Sequence, residues 1–238
     1  MSKSRVYVDE SKTTGYLNLP GTLDEPLKLI IPEFRGSTAA GPFGINQHLG
    51  WSLQEPDNKA RFKLEGDPAQ VGIEFKGSLT AAEDEVLLAA TIRNTSSEPI
   101  QSGHHSLHLD LSASSEFADP TGERTFLYAE TGWATVAQLI DPLHSRKHTI
   151  RIGASYKRTT VMWKMMARLN ESREVCVGLA LDKGYVFGSD HPDWPVGILG
   201  GYRWGSINPS QSKTLVGKIY IFKGGLNDLR LRYTNDFK

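Results

Sequence analysis

Residues 91–111 read TIRNTSSEPIQSGHHSLHLDL, and the way this stretch divides decides the fold. A β-branched run ends at Asn94, the turn cluster NTSSEP follows, and HHSLHLDL then alternates polar with apolar. Side chains along a strand alternate between its two faces. From 104 to 111 that rule puts His104, Ser106, His108 and Asp110 on one side. His105, Leu107, Leu109 and Leu111 fall on the other. The leucine face belongs to a core, with His105 at its rim as a hydrogen-bonded structural histidine. The polar face is either solvated or the floor of a cleft.

The same pattern extends outward from this stretch. Runs such as SRVYVDE, LKLIIPEF, VGIEFKGSL, EVCVGLALD and LVGKIYIFKG are short and rich in β-branched or aromatic residues. Turn formers separate them, among them EGDP, DPTGE and NPSQS. Many short strands punctuated in this way predict a sandwich or barrel. TTVMWKMMARL (residues 159–169) is ambiguous by periodicity, and its β-branched start favours strand. Residues 119–133 read as a turn, a strand, a tight Glu130-Thr131-Gly132 turn and a returning strand, with Glu123, Arg124 and Glu130 as surface charges. A helix is predicted only in GGLNDLRLRYTNDF, where Leu226, Leu229 and Tyr233 recur at helical spacing and Asn227 or Asp228 can cap. The expectation is an all-β antiparallel β-supersandwich with a short C-terminal helix, residues 1–238 forming a single β-sandwich domain. All-β domains reach this length, and it suffices to bury a core without disulfides. Two stretches read as irregular, residues 33–60 and residues 188–212.

Composition narrows the function classes. Lys plus Arg and Asp plus Glu number 27 each, so the formal net charge is zero. That argues against a nucleic-acid binder working through a broad basic surface. No run approaches the length of apolar residues that a membrane span needs, so no membrane partner is expected. The single cysteine, Cys176, excludes a disulfide within the chain and reads as a buried thiol in a strand. The start MSKSRVYVDE has no apolar h-region, which makes the cytoplasm the default location, with removal of a leader left open. Asn94-Thr95-Ser96 and Asn170-Glu171-Ser172 fit the glycosylation pattern, which is common by chance.

Three imidazoles within five residues raise the question of a metal. A strand rises about 3.3 Å per residue, so His104 and His108 stand about 13 Å apart, too far to share one ion. His108 and Asp110 can share one only with a third ligand from elsewhere, and neither H-E-x-x-H nor a Cys–His pattern occurs. No metal or other cofactor is therefore expected. An acid–base role needs one well-placed imidazole, which titrates near neutrality. His104, His108 and Asp110 are the candidate catalytic residues. The stretch SDHPDWPVGILGGYRWGS adds His191, Asp193, Trp194, Tyr202, Arg203 and Trp204. Aromatic rings pack against the C–H faces of sugars, and Asp, Arg and His pair with their hydroxyls. GGYRWGS also reads as one more strand, with Tyr202 and Trp204 sharing parity and able to point inward. GINQHLGW contributes His48 in a similar setting.

The Asn–turn–His arrangement resembles the galactose mutarotase-like (aldose 1-epimerase-like) superfamily. Members carry an Asn at a strand end, a short Asp/Ser-Pro turn and a following strand that opens on a histidine. Here Asn94, the turn Ser97-Glu98-Pro99 and His104 match those positions. Leu107 and Leu109 fall where the family has its core Phe and Leu, and His108 falls at its Asn. INPSQSKTLVGKIYIF is similar to the closing strand. The clear match covers residues 86–111, and the chain is shorter than a typical mutarotase. The resemblance implies a large supersandwich that binds sugars on the concave face of one sheet, with His104 as general acid toward the ring oxygen. The family's late glutamate is absent: no glutamate follows Glu174, and Asp182, Asp190 and Asp193 are the carboxylates before the last strand.

The sequence therefore predicts a carbohydrate-active protein that acts on or binds a sugar in a concave cleft, with a carbohydrate as its partner. The alternatives are a non-catalytic carbohydrate-binding domain and an accessory or assembly β-sandwich protein. The sequence leaves homo-oligomerisation open.

Overall fold

A computed structural model describes residues 5–8, 14–18, 22–30, 34–38, 41–45, 49–54, 58–64, 72–140, 149–157, 159–191 and 194–238. The strands, in chain order, are β1 (Arg5–Val8), β2 (Gly15–Asn18), β3 (Leu27–Ile30), β4 (Phe34–Thr38), β5 (Gly41–Ile45), β6 (Leu49–Gln54), β7 (Lys59–Leu64), β8 (Ile73–Ala81), β9 (Glu85–Asn94) and β10 (Ser102–Asp110). They continue as β11 (Thr125–Ala129), β12 (Gly132–Thr135), β13 (Thr149–Arg151), β14 (Ser155–Tyr156), β15 (Thr159–Leu169), β16 (Val175–Leu181), β17 (Gly184–His191), β18 (Trp194–Arg203) and β19 (Ser212–Lys223). A one-turn helix, Val136–Leu139, follows β12, and the C-terminal helix spans Leu226–Phe237. Among the described residues, no helix is long and apolar enough to cross a membrane.

The strands form two antiparallel sheets. The first runs β1-β2-β3-β10-β18-β17-β13, with β4 on β10 and β5 on β4. The second runs β12-β11-β15-β16-β19-β9-β8-β7-β6, with β14 on β15. Their inner faces share one core, to which Leu107, Leu109 and Ile198 come from the first sheet and Phe75, Leu88 and Ile219 from the second. This is the supersandwich that the alternating runs predict, and TTVMWKMMARL is its strand β15.

EVCVGLALD shows no alternation because β16 is buried on both faces. Val175, Val177, Leu179 and Leu181 enter the inter-sheet core. Cys176 and Ala180 lie on the outer face in a second cluster, with Leu229 and Tyr233 of the C-terminal helix. The helix starts at Gly225, whose N–H donates to Asp228 Oδ2 at 2.9 Å, so Asp228 caps from inside the first turn. Ring stacking continues the attachment, with Trp163 and Tyr233 centroids 4.7 Å apart. At the rim, Lys218 Nζ reaches Glu85 at 2.7 Å and Asp236 at 2.8 Å, and Arg232 reaches Asp84 at 2.6 Å. Such half-exposed ion pairs contribute little, so the buried apolar contacts carry the docking.

One end of the core is polar. Arg168 is fully buried, and its Nε donates to Thr125 Oγ1 at 2.8 Å and its Nη1 to the Phe117 carbonyl at 3.1 Å. Thr125 Oγ1 donates to Asp119 Oδ2 at 2.7 Å, and Asp119 also accepts the N–H groups of Glu123 and Arg124. Arg124 is not the surface charge that the sequence suggests. Its guanidinium donates to the carbonyls of Glu116, Ala118 and Leu169 and ties the loop before β11 to the end of β15.

Burial, then the Asp228 carboxylate, pushes the Cys176 thiol up to about 12. The native state therefore favours the protonated thiol. Its stabilising contribution is complete below the unfolded thiol's ordinary value and is lost as pH climbs toward 12. Leu229→Ala opens a cavity directly over this face and costs ~2–5 kcal/mol in urea unfolding. Labelling of Cys176 by a thiol reagent at pH 8 is slow in the native protein. It accelerates roughly tenfold or more in Leu229→Ala as the helix lifts more often.

Candidate functional site

β10 is bonded along both edges. β18 pairs with it from His104 to Asp110, while β4 takes residues 102–105 of the other edge and β3 takes residues 108–110. Directly opposite residues of an antiparallel pair lie on the same face. The outer face of the first sheet therefore sets His104 across from Arg203, Ser106 across from Gly201, His108 across from Leu199 and Asp110 across from Gly197. On the far edge, Lys28 stands opposite Asp110 and Ile30 opposite His108, and Arg35 holds the register position opposite His104.

Exposure changes along this row. His104 is exposed, whereas His108 and Asp110 are each 8% exposed. The His108 ring leans over the neighbouring strand, and Gly197 leaves it room: a Cβ there would lie 2.8 Å from His108 Nε2 and would collide with the Leu109 carbonyl. Asp110 Oδ1 accepts the Ser112 N–H at 2.9 Å, so its carboxylate shapes the exit of the strand. At the open end, the exposed guanidinium of Arg203 lies 4.7 Å over the Tyr185 ring. His104, Arg203 and Tyr185 thus make an accessible polar and aromatic cluster, and His108 and Asp110 lie farther along the same strand face, buried. Among the described residues, no three His, Cys, Asp or Glu side chains gather as a metal site.

The remaining predicted residues divide. His105 goes to the core, as parity predicts, where it stacks on Phe75 with centroids 4.5 Å apart. Tyr202 and Trp204 also point into the core, 2% and 3% exposed, so of the three large side chains in GGYRWGS Arg203 alone lies on the outer face. The Tyr202 hydroxyl donates to the Thr214 carbonyl at 3.0 Å, and burial followed by the Asp182 charge raises its pKa. Residues 188–212 are not an irregular loop: most belong to the β17–β18 hairpin, where the backbones of His191 and Trp194 pair. His48 and Asp193 lie outside the described residues. Asp182 accepts the Val216 N–H at 3.2 Å and serves the β16–β17 turn.

Sequence reasoning missed Tyr185. Parity counted from the buried Phe187 places Tyr185 inward, but a register shift between Gly184 and Val186 turns it to the outer face. There a Cβ on Gly201 would lie 3.3 Å from the Tyr185 ring.

Asn94 explains why the turn before β10 is so specific. Its fully buried amide donates to the carbonyls of Glu98 and Ile207 at 2.8 and 2.9 Å. Its oxygen accepts from the N–H and hydroxyl of Ser96 at 2.9 and 2.7 Å. Every polar site of the side chain is used. Asn170 is likewise buried, with its oxygen accepting from the N–H groups of Glu174 and Val175. Both glycosylation patterns are therefore enclosed in the folded chain.

No family model matches the chain, and no curated protein does either. Solved structures match it over nearly its whole length. The Slr1438 protein of Synechocystis sp. PCC 6803 superposes with a TM-score of 0.54 at 12% identity, over 94% of this chain and 97% of that one. A galactose mutarotase-like protein from Lactobacillus casei ATCC 334 gives 0.53 at 10% identity, over 93% and 98%. The chain has the galactose mutarotase-like fold. The same fold forms part of the α-N-acetylgalactosaminidase NagBb of Bifidobacterium bifidum, with a TM-score of 0.54 at 11% identity over 99% of this chain and 38% of that one. At these identities the likeness is one of fold, and the chemistry has to be argued from this chain's own residues.

Two substitutions test the geometry. Asn94→Ala removes four hydrogen bonds and strands buried backbone groups, and it costs about 3 kcal/mol in chemical denaturation. Gly197→Ala costs about 1–3 kcal/mol through overpacking. It also shifts the imidazole NMR signals of His108 while leaving those of the core His105 in place; an unchanged His108 spectrum would contradict the packing described.

Proposed function

We propose that the outer face of the first sheet binds a sugar and that His104 serves there as the general acid, with residues 1–238 acting as one β-sandwich domain. The observation that carries this reading is the accessible imidazole of His104, directly across from Arg203, on a galactose mutarotase-like fold. An imidazole can donate a proton to a ring or glycosidic oxygen near neutral pH. The Arg203 guanidinium supplies several donors to sugar hydroxyls, and Ser106 adds a hydroxyl that both donates and accepts. Tyr185 holds the guanidinium from below, which limits its freedom before a ligand arrives. His108 and Asp110 act as positioning residues, because little of either reaches solvent.

A second reading has its own support. Asp110 is committed to the Ser112 N–H, and no glutamate follows Glu174 to serve as the matching base. On that basis the same face is a sugar-binding surface without turnover, and His104 is a ligand contact.

The test is a panel of aldoses and short oligosaccharides, followed by NMR titration for binding and by polarimetry and product analysis for turnover. Catalysis by His104 requires that His104→Gln lower the rate by about 10²–10⁴-fold, with an unchanged melting temperature because the residue is exposed. Turnover indifferent to His104→Gln would overturn the acid role. Binding without turnover, lost in His104→Gln and Arg203→Ala, establishes the second reading. Absence of binding across the panel would remove both.

A further inference from the structure

The second sheet carries a feature on its own outer face, on the opposite side of the core from His104. A groove of about 730 Å³ lies over β6 to β9. Its axis is the sequence KARFK of β7. Ala60 and Phe62 are buried, so alternation sends Lys59, Arg61 and Lys63 outward, and every outward position of this run is a cation. The neighbouring strand does not neutralise them. Lys63 stands directly opposite Lys76, and Arg61 stands opposite Ser78 on β8 and Ser52 on β6. Like charges in direct cross-strand register are destabilising. Lys76 finds Glu74 at 2.8 Å, but among the described residues Lys59, Arg61 and Lys63 have no carboxylate partner. The chain as a whole is neutral, so this concentration of positive charge is local.

The rest of the groove is small and hydroxylated. Gly50 and Ala89 keep its floor low, and Ser52, Ser78 and Thr91 line it. The two aromatic residues that reach it, Trp51 and Phe62, are only 3% and 2% exposed. Among the described residues it therefore has cations for anionic groups and hydroxyls for a hydroxyl-rich chain, but no open ring on which a nucleobase could stack.

We propose that this groove binds an acidic oligosaccharide, lying along β7 with its carboxylate or sulfate groups on Arg61, Lys63 and Lys76. The like-charge register of Lys63 and Lys76 is relieved when the anion is bound. The site is separate from the sugar face of the first sheet and stands without it.

Calorimetric titration tests the idea with four probes of matched length: a galacturonate oligomer, a sulfated oligosaccharide, an uncharged glucose oligomer and a single-stranded homopolymer oligonucleotide. At least one acidic oligosaccharide should bind and weaken as salt is raised, while the uncharged oligomer should not bind here. The double variant Arg61→Ala, Lys63→Ala should lower that affinity at least about tenfold with no loss of melting temperature, because both side chains are exposed. His104→Gln should leave it unchanged, which separates this groove from the His104 face. Failure of both acidic oligosaccharides to bind, indifference of their binding to the double variant, or tighter binding of the oligonucleotide would overturn the proposal. A carboxylate and a sulfate probe that differ in affinity identify which anion the groove prefers.

Discussion

The first sheet depends on β10 being hydrogen-bonded along both edges. β18 follows it over seven residues, while β4 and β3 divide its other edge. A strand held in this way cannot slip by one residue without sending Leu107 and Leu109 outward and His104 inward. The leucines fix the register, and the register fixes which imidazoles meet solvent. Asn94 then sets where the strand begins, by closing the preceding turn around a buried amide and binding it to Ile207. The position of His104 is thus a consequence of apolar burial on one side and a saturated polar turn at the start, neither of which touches a ligand.

Much of this was legible from residues 91–111, because a half-buried strand writes its environment into alternate positions. His105 could be assigned to the core by parity alone, and the helical spacing of Leu226, Leu229 and Tyr233 marked the C-terminal helix. The failures have equally local causes. GILGGY lacks the side chains that announce a strand, yet it is the centre of β18, where Gly197 accommodates the ring of His108. Tyr185 escaped because a bulge reverses the parity that otherwise places side chains. Arg124 looked solvated because three of its acceptors are backbone carbonyls, which leave no trace in side-chain composition.

The buried Arg168 illustrates the same limit at the end of the core. Taking a guanidinium out of water is costly, and the groups that accept from its Nε and Nη1 come from β11 and from the loop before it. Thr125 is the hinge of the arrangement, accepting from Arg168 and donating to Asp119. Asp119 in turn holds the backbone of Glu123 and Arg124. The network adds polar contacts beside the core residues Phe117, Leu127 and Met166, and it orders a loop that has little secondary structure of its own.

The outer face of the second sheet shows how coverage decides composition. Under the C-terminal helix, β16 and β19 present Cys176, Ala180, Tyr220 and Phe222 outward, and all are buried. Lys218 marks the edge of the helix, shared between Glu85 of the sheet and Asp236 of the helix. Beyond it, β9, β8 and β7 turn out Thr91, Ser78, Arg61 and Lys63. The helix cannot cover all nine strands of that sheet's main path, so the uncovered part must be wettable. Solvation alone, however, is satisfied by mixed charges, and mixed charges avoid the repulsion that Lys63 and Lys76 meet across β7 and β8. A like-charge pair in direct register costs stability in the free protein. That cost marks this part of the sheet, rather than the solvated edges around it, as a surface shaped for an anion.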